Sequence, residues 1–76
     1  MKQGKYVTFT DGTALVFPHQ DLHTSYIVAG KVPRSAGYFA NDVELLCFGQ
    51  SSSLGVRACE GDEELIRRLC VAPRSP

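Results

Sequence analysis

Tryptophan is absent from this chain, and no apolar run approaches the roughly 18 residues that a bilayer-spanning helix needs. An excess of charge is missing too. Eight basic residues balance eight acidic ones. There is then no long-range field of one sign to draw in nucleic acid or an anionic membrane. An acidic mimic of DNA is disfavoured on the same ground. Cysteine is sparse: Cys47, Cys59 and Cys70 are odd in number and contain no C-x-x-C pair. In a reducing compartment they read as buried thiols rather than a disulfide framework. Met1-Lys2-Gln3-Gly4 carries no apolar stretch of the signal-peptide kind, so the expected location is the cytoplasm, with no membrane partner.

What is present is ordinary globular composition. Apolar residues make up 43% of the 76, too many for a disordered chain. The length suits one domain, with an ordered core over about 5–72 and a loose tail at 73–76. A core this small is marginal, because surface dominates volume at this size.

Two hairpin-and-helix patterns follow one another. In the first, Lys5–Thr10 and Thr13–Phe17 flank Asp11-Gly12. Asp-Gly between strand-like runs predicts a two-residue turn, because glycine accepts positive φ freely. That turn sets Phe9 opposite Ala14, Val7 opposite Val16 and Tyr6 opposite Phe17. Val7, Phe9, Ala14 and Val16 then form the core face, and Tyr6, Thr8, Leu15 and Phe17 the other. Gln20–Ala29 follows as a candidate helix, with Leu22, Tyr26 and Ala29 on one stripe and Gly30 as its stop. Lys31–Ser35 reads as a linker punctuated by Pro33.

In the second pattern, Gly37–Ala40 and Val43–Phe48 flank Asn41-Asp42. A two-residue loop there places Tyr38, Ala40, Val43, Leu45 and Cys47 on the core side. It places Phe39, Glu44, Leu46 and Phe48 on the other, and a one-residue bulge would exchange the two sets. Leu54, Val56 and Ala58 alternate as a short extra strand after a Gly/Ser loop. The clearest helix is Asp62–Cys70, with Leu65, Ile66, Leu69 and Cys70 as its apolar stripe. Acidic Glu60–Glu64 gather at its start and Arg67 and Arg68 at its end, as the helix dipole favours. Glu63–Arg67 and Glu64–Arg68 have i,i+4 spacing, worth about 0.3–0.5 kcal/mol each. The fold class expected is α+β: a small antiparallel sheet of four to five strands in ββαββ(β)α order, with one or two helices on one face.

Few residues suggest chemistry. His19 and His23 stand four apart, a spacing that lets two imidazoles share a metal on a helix, but the H-E-x-x-H motif is missing. Two partly exposed histidines on a polar helix face are the better explanation of the pair, so neither a metal nor a cofactor is expected. Gly49–Gly55, Gly-Gln-Ser-Ser-Ser-Leu-Gly, has the composition of an anion cradle but lacks the Gly-Lys-Ser/Thr ending of a P-loop. No nucleophile elbow or catalytic cysteine signature surrounds the serines and cysteines, so no enzyme is expected.

What remains is the sheet face turned from the helices. If both helices cover one side, Tyr6, Leu15, Phe17, Phe39, Leu46 and Phe48 point outward together as a partner-binding surface. A curled sheet or a covering loop would bury them instead. The same patch would serve a homodimer. With Tyr6, Phe17, Phe39 and Phe48 as a stacking platform it would serve single-stranded nucleic acid, which the balanced charge argues against.

These residues resemble small bacteriophage or prophage reading frames. The likeness runs through Lys5-Tyr6-Val7 into Asp11-Gly12, Phe17-Pro18, Ser35-Ala36-Gly37-Tyr38, Cys47-Phe48-Gly49-Gln50-Ser51, Ser53-Leu54-Gly55-Val56, and Asp62-Glu63 before Leu65-Ile66. It covers most of residues 5–70. The resemblance implies context rather than site residues: a protein in the host bacterial cytoplasm that binds a host protein complex. One version is an inhibitor of a defence complex, of the kind known as anti-CRISPR proteins.

Overall fold

The structure, a computed structural model, describes residues 3–41 and 43–71; the side chains of residues 69–71 lie outside that description. The architecture is α+β. Four antiparallel strands, β1 (Gln3–Phe9), β2 (Ala14–Phe17), β3 (Pro33–Asn41) and β4 (Leu45–Phe48), form a sheet in the order β2-β1-β3-β4. A two-stranded ribbon, β5 (Gln50–Ser51) and β6 (Val56–Arg57), and the helix α1 (Asp62–Val71) complete it. The extra strand expected after the Gly/Ser loop is β6.

Both hairpin registers differ from expectation. In the first, Phe9 N–H donates to the Thr13 carbonyl at 2.8 Å and Gly12 N–H to the Phe9 carbonyl at 3.0 Å. Gly12 takes φ +89°. This is a three-residue loop whose last member sits left-handed, a standard alternative to the two-residue turn. Tyr6 therefore faces Val16 and Val7 faces Leu15. The shift of one residue joins Tyr6 and Thr8 to Ala14 and Val16 on one face, and Val7 and Phe9 to Leu15 and Phe17 on the other.

In the second hairpin, Asn41 pairs with Leu45 and Tyr38 with Phe48, so three residues, 42–44, connect the strands. The expected turn at Asn41-Asp42 lies partly outside the described residues. The offset is again odd. It puts Phe39 with Leu45 and Cys47, and Tyr38 and Ala40 with Leu46 and Phe48.

Helical cover is split between the two faces instead of sharing one. Ile66 of α1 packs with Tyr6, Phe39 and Leu45, bordered by Ala14, Val16, Cys47 and Ala58. On the opposite face, Val7, Phe9, Phe17 and Ala36 form a second cluster, covered by Tyr26, Leu54 and Val56. The expected helix over 20–29 is only a four-residue 3-10 turn at His23–Tyr26. Successive turn bonds from Asp21 to Pro18, Ser25 to Leu22 and Lys31 to Val28 carry the chain across, and Gly30 takes φ +83°. The β-branched residues Thr24, Ile27 and Val28 oppose a longer helix. Pro33 opens β3 rather than punctuating a linker. Proline is tolerated at a strand start, where its missing N–H breaks no ladder bond.

Candidate functional site

The sheet carries two different sites on its two faces. The first is a buried polar network on the α1 side. Asp62, one of the acidic residues expected at the helix start, is fully buried. Its carboxylate accepts hydrogen bonds from the Tyr6 hydroxyl (2.5 Å), the Ser35 hydroxyl (2.9 Å), the Arg34 guanidinium (3.1 Å) and the Cys59 N–H (2.8 Å). The Thr8 and Ser35 hydroxyls bond each other at 2.5 Å. Burial and then the Asp62 carboxylate push the Tyr6 phenol far above its usual range. The carboxylate also closes the turn before α1, so the network ties the helix start to β1 and β3. Among the described residues every buried side-chain nitrogen or oxygen has a hydrogen-bond partner.

The second site is the opposite face. Strand pairing puts Phe17, Lys5, Tyr38 and Phe48 in one row across all four strands. Tyr26 stacks on Phe17 with ring centres 4.0 Å apart, and His23 meets Phe17 edge-on at 5.4 Å. Nε2–H of His23 donates to the Gly37 carbonyl at 3.0 Å. Desolvation holds His23 below its ordinary pKa, so its ring is neutral at pH 7. At the far end Tyr38 stacks beside Phe48 at 6.0 Å. Beyond the row lies a cleft of about 240 Å³ lined by Lys5, Leu22, His23, Tyr38 and Gln50–Ser53.

Only half of the expected partner surface is at the surface. Tyr6, Phe17 and Phe39 are each at most 1% exposed, because the register shifts turn Tyr6 and Phe39 under α1 and the 3-10 turn covers Phe17. Leu15, Leu46 and Phe48 are outside, at 37%, 52% and 51%. Val43, in the loop before β4, is 97% exposed. The stacking platform of Tyr6, Phe17, Phe39 and Phe48 is therefore not formed. β4 is also an edge strand, and the Glu63 carboxylate closes one of its donors by accepting the Cys47 N–H at 2.9 Å.

His19 and His23 share no helix. His23 is buried in the row, while the exposed His19 lies against the Tyr38 ring at 5.4 Å. Among the described residues no cluster of three His, Cys, Asp or Glu side chains forms a metal site. No described helix is long and apolar enough to cross a membrane. Sequence reasoning missed Arg34 and Ser35, which lay in the supposed linker, and Lys5, whose neighbours come from distant segments. No family model, curated protein or solved structure matches this chain.

Proposed function

We propose that this chain is a small non-enzymatic protein that binds another protein through the outer side of its β3–β4 hairpin. Val43, Leu46 and Phe48 form the contact, with Tyr38 backing Phe48. The observation that carries this reading is three large apolar side chains held in solvent by one hairpin, two of them on alternate positions of an edge strand. Apolar anchors fixed on strands lose little entropy when they dock. Of the other exposed apolar residues, Leu22, Ile27, Val28 and Val32 lie on the irregular connection between β2 and β3 and have no such frame, while Leu15 stands by itself on β2 at the opposite edge of the sheet.

The partner proposed is a host protein complex in the bacterial cytoplasm, and inhibition of a defence system such as CRISPR–Cas is its most concrete form. The resemblance to small phage reading frames supports that choice. A homodimer through the same side chains is the competing occupant. Affinity capture from bacterial lysate by wild type and by the double variant Leu46→Asp/Phe48→Asp tests the reading. A defined complex retained by wild type and lost by a folded variant is expected. Equal capture by both would overturn it.

A further inference from the structure

Beside the proposed contact, on the other side of the Tyr38 ring, the same sheet face holds a cleft. The Gly/Ser segment after β4 folds into the β5–β6 ribbon and its turn. Gln50–Ser53 line the cleft that Lys5, Leu22, His23 and Tyr38 complete. Lys5 comes from the centre of β1, so the cation that the Gly/Ser segment lacks in sequence is delivered by the fold. The side chain is half-buried, yet among the described residues its ammonium meets no carboxylate. One N–H donates to the Asp21 carbonyl at 2.7 Å, and the charge lies 5.9 Å from the Tyr38 ring centre. The nearby Asp21 carboxylate is engaged by the Tyr26 hydroxyl at 2.6 Å. Two donors of Lys5 remain. An anion in the cleft would take up these donors in charge-assisted hydrogen bonds.

We propose that this cleft binds a phosphate group. Lys5 supplies the charge and the exposed Ser52 hydroxyl a further donor, with Ser53, whose hydroxyl also meets Ser51 Oγ at 3.2 Å, exposed beside it. Hydroxyls and an ammonium together match a phosphoryl oxygen set. The volume of about 240 Å³ falls below the roughly 300–1,000 Å³ of drug-sized pockets, so the occupant is the ion itself or the phosphorylated end of a larger molecule.

The test is a titration of the labelled protein followed by backbone amide shifts, at constant ionic strength. Three probes are used: inorganic phosphate, phosphoserine and adenosine monophosphate. Saturable shifts confined to Lys5, His23 and Gln50–Ser53, with millimolar or tighter affinity, are expected for at least one probe. The tightest probe identifies the source of the phosphate. Lys5→Met should weaken that binding about tenfold or more, the scale of one charge-assisted hydrogen bond. Ser52→Asp, at an exposed position that leaves the core untouched, should weaken it by repulsion. Arg57, which with Gln50, Ser51 and Ser52 lines a neighbouring cleft, provides the control. Arg57→Gln should leave affinity unchanged. Linear, unsaturating shifts with all three probes would overturn the proposal, as would a loss that follows Arg57→Gln while Ser52→Asp binds normally.

Discussion

The Tyr6 hydroxyl donates to the Asp62 carboxylate at 2.5 Å across 56 residues of sequence. This contact joins the middle of β1 to the start of α1. Removing its donor leaves a fully buried carboxylate with one partner fewer. Tyr6→Phe should therefore destabilise the fold by about 1–3 kcal/mol, read from urea unfolding. A change below a few tenths of a kcal/mol would show that the network does not tie the helix to the sheet.

The same contact sets an alkaline limit. The unfolded phenol titrates near 10.0, whereas the folded one is raised well above that. Below pH 10 both states hold the proton, and the stabilisation is complete. As pH rises past 10 the unfolded state releases its proton first, so stability falls. Unfolding curves between about pH 9 and 11 should show this decline, and Tyr6→Phe should reduce it, leaving the part contributed by Tyr26, which its bond to Asp21 also raises.

His23 gives the opposite slope. Burial lowers its folded pKa, so the folded state resists a proton that the unfolded state accepts near pH 6.5. Stability contributed by His23 should be complete above that value and decline on acidification through it. Its imidazole signals in an NMR titration should move only below the ordinary histidine range. A midpoint at or above 6.5 would contradict the buried placement.

Gly37 tests the register of β3 against β4. A Cβ there would collide with the backbone carbonyl oxygen of Phe48, which has no side-chain freedom with which to yield. Gly37→Ala should cost about 1–3 kcal/mol by overpacking. A neutral substitution would place β4 elsewhere.

Legibility followed the range of the interactions. The helix at Asp62–Val71 was visible because its acidic start, basic end and apolar positions are all local. Even there, the ion pair formed is Glu64–Arg67 at i,i+3, since Glu63 reaches to the Cys47 backbone. The stripe residues Leu69 and Cys70 lie outside the described side chains, as does the tail. The hairpins were visible as hairpins, but loop length decides which face each residue takes. Gly12 permits both a two-residue and a three-residue loop. The choice follows packing: the observed register buries Tyr6 beside Asp62, a partner no local pattern could reveal. Leu15 and Val16 do lie on opposite faces, because β2 alternates on its own, but the face expected to be outward is covered, with Phe17 buried beside Leu15; the strand beside β2 moved as well. The Gly/Ser segment showed its donors but not its cation, since Lys5 lies at the other end of the chain.

The outer side of the β3–β4 hairpin is the surface proposed to meet a protein partner. Photo-crosslinking in the bacterial host tests it most directly, with a light-activated phenylalanine analogue placed at Phe48, or at Arg68 on the exposed side of α1. A defined adduct with a host protein is expected from position 48 and none from position 68. Adducts from position 68 alone, or a 48-linked product containing only a second copy of this chain, would contradict it.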